Sequence, residues 1–223
     1  MVSNAVEAPT INLFGIPIQA MTMIEVLNRI EKTIAERGHL QLGVVNAAKL
    51  VNMHRNKDLM QDVISSDLIL ADGIAVVWAS RILGRSLPER ITGIDLMYNL
   101  FQRGNEHCYR FYCLGATPEV LEKVTQKIVV DYPNIQLVGK HHGYFSKEEE
   151  QEIAEDIATS QPDILLVAMT SPKKEQFLAR WSNIINVPIC HGVGGSFDVM
   201  AGKVQRAPQS WQNLGLEWLY RVK

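Results

Sequence analysis

Ile184-Ile185-Asn186-Val187-Pro188-Ile189-Cys190-His191-Gly192-Val193-Gly194-Gly195-Ser196-Phe197-Asp198 passes from an apolar run into a glycine turn and then into residues that can open a helix. A strand whose carboxyl end opens into a Gly-rich turn and a short helix is a piece of an open α/β sheet, where ligands bind at the carboxyl ends of the strands. Gly192, Gly194 and Gly195 let the backbone come close to a ligand, and successive N–H groups there suit an anion such as a phosphate. The same glycines equally supply the positive φ of a tight strand-to-helix turn. Asp198, Lys203, Arg206 and Arg221 follow closely, and a charged cluster beside a glycine turn weighs toward a binding use.

Upstream, the same arrangement recurs. Leu40 to Val45 reads as a strand ending at Asn46, with a helix from Ala47 to Asn56; Leu68 to Ala71 reads as a strand ending at Asp72-Gly73, with a helix from Ile74 to Leu83. Tyr109 to Leu114, Ile135 to Val138 and Ile164 to Ala168 are further strands. Thr117 and Pro118 form a helix start, Ser146-Lys-Glu-Glu149 a capping box, and Ser171-Pro172 a cap for a helix reaching Trp181. At the amino-terminal end, Ile11 to Ile18 alternates weakly around Gly15 and Pro17 and predicts one short or edge strand. Thr22 then caps a helix carrying Ile24, Val26, Leu27, Ile30 and Ile34. Strands alternating with helices of about a dozen residues predict a three-layer, Rossmann-like, mostly parallel α/β sheet with flanking helices, in a single domain over 1–223.

Composition narrows the function. The 223 residues are 47% hydrophobic, enough for a sizeable core, and the net charge of -2 argues against a nucleic-acid binder driven by bulk charge. Cys108, Cys113 and Cys190 lie in or beside apolar runs without metal-ligand spacing, and read as reduced core thiols of a cytosolic protein. Residues 1–9 carry no signal-peptide pattern, and no run reaches the ~18 apolar residues that span a bilayer. Any membrane contact is therefore expected to be peripheral.

Several residues could carry chemistry. Asp72 is placed at the sheet's carboxyl edge, where it is either a general base for a sugar hydroxyl or a cap for the helix that begins at Ile74. Asn46 holds the matching place after its own strand, as sugar ligand or cap. Arg90 precedes Thr92-Gly93-Ile94-Asp95 at a helix start, which suits a diphosphate, or else pairs with Glu89 or Asp95. Lys173 and Lys174 follow another strand to the same edge. His141-His142 lacks further ligand spacing, so no metal site is expected, and no Asp-x-Asp clamp for a divalent ion occurs in the chain. A nicotinamide enzyme is disfavoured because Gly192-Val-Gly194-Gly-Ser-Phe197 breaks G-x-G-x-x-G at its last position and follows the last strand rather than the first.

Four blocks occur in order: Ala71-Asp-Gly-Ile with Arg90-Ile-Thr-Gly-Ile-Asp; Phe111-Tyr-Cys-Leu-Gly-Ala; Pro162-Asp-Ile-Leu-Leu-Val-Ala with Ser171-Pro-Lys-Lys-Glu; and Gly192 to Asp198 through Arg206-Ala-Pro and Leu216-Glu-Trp-Leu-Tyr-Arg. Together they resemble the WecG/TagA/CpsF family of bacterial glycosyltransferases, from about Asn12 to the end. The resemblance implies a cytoplasmic, inverting, metal-independent enzyme at the inner face of the plasma membrane. It would need no cofactor and would move a hexose from a UDP-sugar to an undecaprenyl-diphosphate-linked saccharide for cell-surface polymers. It implies Asp72 as general base, Arg90, Tyr144 and Asp198 as pocket residues, and Arg221 in diphosphate binding. With the glycine turn and the charged residues above, the candidate substrate set is Asn46, Arg90, Thr92, Tyr144, Lys174, Gly194, Gly195, Asp198, Arg206 and Arg221.

Two departures bear on the sugar. Teichoic-acid members have Thr-x-Asn where this chain has Val44-Val-Asn46, and Pro-Lys-Gln-Glu where it has Pro172-Lys-Lys-Glu175. Losing a hydroxyl and exchanging an amide for an ammonium alters hydrogen bonding around the sugar, so N-acetylmannosamine, a derivative of it, glucose and a uronic acid all remain open. The resemblance also implies a further basic, membrane-reaching segment, which a chain ending at Lys223 is expected to lack. A UDP-sugar-binding regulatory protein without turnover is the alternative, and self-association is left open.

Overall fold

The computed structural model describes residues 9–208 and Trp211; Arg221 and the Leu216-to-Arg221 block lie outside the described residues. Six parallel strands form one sheet in the order β4 (Leu68–Ala71), β3 (Leu40–Val45), β8 (Ile189–Gly192), β7 (Ile164–Ala168), β5 (Arg110–Gly115), β6 (Gln136–His141). This is the expected three-layer architecture. Alternation within β7 sends Ile164, Leu166 and Ala168 into one core and Leu165 and Val167 into the other, so both faces of the sheet are buried.

One face is covered by α1 (Met23–Ala35), α5 (Gly93–His107), α6 (Pro118–Asp131) and α9 (Ser196–Met200). The other carries α2 (Ala47–Arg55), α3 (Lys57–Ile64) and α4 (Ile74–Ile82) at one end, and α7 (Glu150–Ser160) and α8 (Lys173–Ile185) at the other. The neighbouring strands β3 and β8 therefore send their chains to opposite faces, into α2 and α9. Between two such strands an open sheet leaves a crevice at its carboxyl edge.

Local chemistry follows the sequence in most places. Thr22 closes a full capping box with Glu25 at α1, and Thr117 accepts from the Val120 N–H with Pro118 in the first turn of α6. Four expectations are corrected. Ile11 to Ile18 is two antiparallel strands, β1 (Thr10–Leu13) and β2 (Ile16–Gln19), joined at Phe14 and Gly15, whose φ values are 54° and 79°. The Ser146 N–H does donate to the Glu149 carboxylate, but α7 begins only at Glu150. Ser171 does not cap α8, which opens after Pro172 without a side-chain cap. Cys113 and Cys190 are buried thiols, whereas Cys108 is exposed, because it occupies the left-handed position that ends α5. Among the described residues no helix is long and apolar enough to cross a membrane.

Candidate functional site

The crevice between β3 and β8 is a cleft of about 450 Å³, within the range of small-molecule sites. Asp72, Asn46, Lys174, Gly194, Gly195 and Asp198 line it, so six of the expected site residues meet in one place. Each arrives there from the carboxyl end of a strand: Asn46 from β3, Asp72 from β4, Lys174 from the helix after β7, and the glycines and Asp198 from β8.

Asp72 is not a helix cap. Gly73 occupies the N-cap of α4, while Asp72 Oδ1 accepts the Gly93 N–H at 3.2 Å, at the first residue of α5. Gly93 is held on its other side as well: its carbonyl accepts from the Nε2–H of His191, 3.0 Å away on β8. One peptide thus links the carboxylate of β4 to the end of β8. Burial drives the His191 pKa down to about 4, with Lys174 repulsion adding to it against the Gly93 bond, so the imidazole is neutral. Its Nδ1 is buried and meets no hydrogen-bond partner among the described residues.

Asn46 does cap its helix, with Oδ1 accepting from the Lys49 N–H at 2.9 Å, while still facing the cleft. Gly194 has φ of 52°, so the positive φ read from the sequence is present there, and open space lies where a Cβ would stand. Asp198 faces Lys203 at 3.6 Å.

Beneath the cleft lies a buried charge cluster that the sequence reading passed over. Glu175 Oε1 is shared by Lys49 Nζ at 2.8 Å and Lys174 Nζ at 3.3 Å, and Lys49 also donates to the Val44 carbonyl at 3.2 Å. Burial opposes ionisation of Glu175, but the two ammonium groups overcome it and hold its pKa below the usual carboxylate range. For Lys49, burial and the nearby Lys174 charge win over Glu175 and Asp72, leaving its pKa below that of a free lysine. The stem of Lys174 reaches the cleft by crossing Gly192, where a Cβ would come within 2.7 Å of its Cδ. That contact is a second reason for glycine in this turn, independent of φ. Lys49 and Glu175 each stand in the first turn of a helix that starts at the sheet's carboxyl edge, which is the signal that could have found them.

A second group gathers beside the cleft around Asp95. Thr92 caps α5 and donates its hydroxyl to Asp95 Oδ2 at 2.6 Å, and Arg206 pairs with Asp95 Oδ1 at 2.7 Å. Burial would raise the Asp95 pKa, but the bonds from Arg206 and Thr92 and the charges of Arg206 and Arg90 hold it below the ordinary range. Arg90 therefore lies by Asp95, and Glu89 accepts the Met23 N–H. Thr92, Arg90 and Arg206 do not line the cleft itself. Tyr144, 71% exposed, is on the loop after β6 and also stands off the cleft lining. That loop is held by Lys173, whose ammonium donates to the carbonyls of Gly143 and Phe145 and sits 4.1 Å from the Phe145 ring centre.

Residues 11–223 match the glycosyl transferase WecG/TagA/CpsF family. The chain belongs to this family. One curated relative, the N-acetylglucosaminyldiphosphoundecaprenol N-acetyl-beta-D-mannosaminyltransferase of Bacillus spizizenii, is 36% identical over 158 residues, which cover 71% of this chain and 61% of the relative. The aligned part thus spans about three-fifths of the relative's length. The cleft draws lining residues from three of the four blocks quoted from the sequence: Asp72, Lys174 and the Gly192-to-Asp198 turn.

Proposed function

We propose that the protein is an inverting, metal-independent glycosyltransferase that moves N-acetylmannosamine or a closely related hexose from a UDP-sugar to an undecaprenyl-diphosphate-linked saccharide. The carrying observation is the position of the Asp72 carboxylate in a cleft at the sheet's carboxyl edge, oriented by the Gly93 N–H and facing a glycine turn and a buried ammonium. The family and the acceptor and β-linked product in the relative's name support it.

In this reading Asp72 takes the proton from an acceptor hydroxyl as its oxygen attacks the anomeric carbon. The bond from that carbon to the diphosphate oxygen breaks, and its electron pair leaves with UDP. Attack from the face opposite UDP turns an α-linked donor into a β-linked product. Without an Asp-x-Asp clamp, the charge on the leaving group falls to cations of the chain, of which Lys174 is already in the cleft. The same lysine stands where teichoic-acid relatives have glutamine, so it also bears on which sugar is accepted; Lys174→Gln should shift donor preference toward neutral N-acetylhexosamines.

The test is UDP release from a panel of UDP-sugars with a short-chain polyprenyl-diphosphate saccharide. Acceptor-dependent release with one donor, unchanged by a chelator, supports the proposal. Donor binding without release under any acceptor condition favours a binding protein instead, and loss of release on chelation removes metal independence.

A further inference from the structure

Helix α4 starts at Ile74, two residues after Asp72, and is apolar on both sides. Its inner side buries Val76 and Val77. Its outer side presents Ala75, Trp78 and Ile82 at helical spacing, with Trp78 50% and Ile82 85% exposed, and Leu83 follows at 53%. An amphipathic helix needs one apolar face, so the outer stripe is unexplained by the core. Two arginines, Arg81 and Arg85, are exposed beside it, and no acidic residue occurs between Gly73 and Pro88. Arg85 donates to the Asn12 carbonyl, which leaves its charge in place, and among the described residues neither arginine has a carboxylate within ion-pair distance. The same bond ties the β1–β2 hairpin to this end of α4, and Phe14 at the hairpin turn is exposed as well.

We propose that the outer face of α4 and the segment up to Arg85 dock on the anionic surface of a lipid bilayer, with Trp78, Ile82 and Leu83 entering the headgroup boundary and Arg81 and Arg85 meeting lipid phosphates. Three features select this occupant over a second copy of the chain. An isologous contact through this face would bring unpaired arginines of the two copies together, whereas anionic lipid neutralises them. A tryptophan flanked by arginines and branched aliphatics is suited to the interface, where one end of the ring is apolar and the other wet. The net charge of the whole chain, -2, gives no general attraction to such a surface, so a local basic and apolar patch is what attachment requires. The proposal extends the lipid-acceptor reading: α4 leaves the cleft at Asp72-Gly73, so a bilayer against its outer face lies next to the cleft that a lipid-tethered diphosphate has to reach.

The full chain is tested by co-sedimentation with phosphatidylglycerol/phosphatidylethanolamine vesicles and with phosphatidylcholine vesicles. The wild type should bind the anionic vesicles, more weakly as salt rises. Trp78→Ser with Ile82→Ser should lower the partition coefficient by about tenfold or more, and Arg81→Gln should remove most of the preference for phosphatidylglycerol. The thermal midpoint of each variant, and UDP release with a water-soluble short-chain acceptor, should stay at the wild-type level. Vesicle binding is read without turnover, so failure of the glycosyltransferase reading leaves this test intact. Wild-type binding that is absent, or equal in the double variant, overturns the proposal. So does a wild-type dimer that the double variant converts to monomer with vesicle binding unchanged, since that assigns the face to a second copy.

Discussion

Protonation of His191 should be a main route by which mild acid weakens this fold. The imidazole is fully buried, donates to Gly93, and has its pKa lowered from 6.5 to about 4, chiefly by desolvation. Below pH 6.5 the unfolded chain binds a proton at this position that the folded chain refuses until about pH 4. Stability is therefore complete above pH 6.5 and falls through the window between the two values. At about 1.4 kcal/mol per pKa unit, the difference amounts to about 3 kcal/mol, a large share of a typical domain's 5–15 kcal/mol. The comparison is urea unfolding of the wild type and of His191→Gln at pH 7.5, 6.5, 5.5 and 4.5. Glutamine carries an amide donor close to the Nε2 position and does not titrate, so it should keep part of the Gly93 contact while removing the proton linkage. The wild type should lose stability faster than the variant on going from pH 6.5 to 4.5, the gap between the two curves changing by about 2 to 3 kcal/mol. Parallel curves across that range would show that His191 does not carry the loss of stability in acid.

Two further predictions concern the cleft floor. Glu175→Gln leaves two buried ammonium groups facing an amide, and should cost about 3 to 5 kcal/mol and lower the thermal midpoint by about 10 °C. Combining Glu175→Leu with Lys49→Met should recover most of that loss, and a Glu175→Gln midpoint within about 2 °C of wild type would show that the cluster is not coupled as described. Gly192→Ala brings a Cβ against the Lys174 stem. Because that stem is flexible, the expected stability change is only about 1 kcal/mol, but the displaced ammonium should raise the KM for donor severalfold with little effect on acceptor KM, measured by UDP release.

Much of this was legible in the sequence because strands and edge residues follow simple periodic rules. Apolar runs ending at Asn46, Asp72 and Gly192 mark the carboxyl edge of a parallel sheet, and the structure brings all three to one cleft. The hairpin was not legible: Gly15 and Pro17 look like interruptions of a single strand, and Phe14 is an unusual residue for positive φ. Lys49 and Glu175 were missed for another reason. Charged residues in a first helical turn usually face water, and only the sheet order, with β3 beside β8 and β8 beside β7, folds α2 and α8 over the same spot. Lys174 reads as a sugar contact from the sequence, but its pairing to a buried carboxylate depends on that same long-range arrangement. Arg90 reads as a diphosphate ligand or a partner of Glu89 or Asp95, and the structure puts it by Asp95; Thr92 and Arg206, read toward substrate, also meet that carboxylate, at 2.6 and 2.7 Å. Sequence spacing does not reveal that a carboxylate three residues after a cap will collect both.

The central claim is that Asp72 is the base of a glycosyl transfer in this cleft. Its most direct test is Asp72→Asn, assayed for transfer to the short-chain acceptor and, separately, for binding of the preferred UDP-sugar by calorimetry. The amide keeps an oxygen to accept the Gly93 N–H but cannot take the acceptor proton. Transfer should fall by about 10²-fold or more while donor affinity and thermal midpoint change little. Transfer by the variant within a few-fold of wild type would contradict the account.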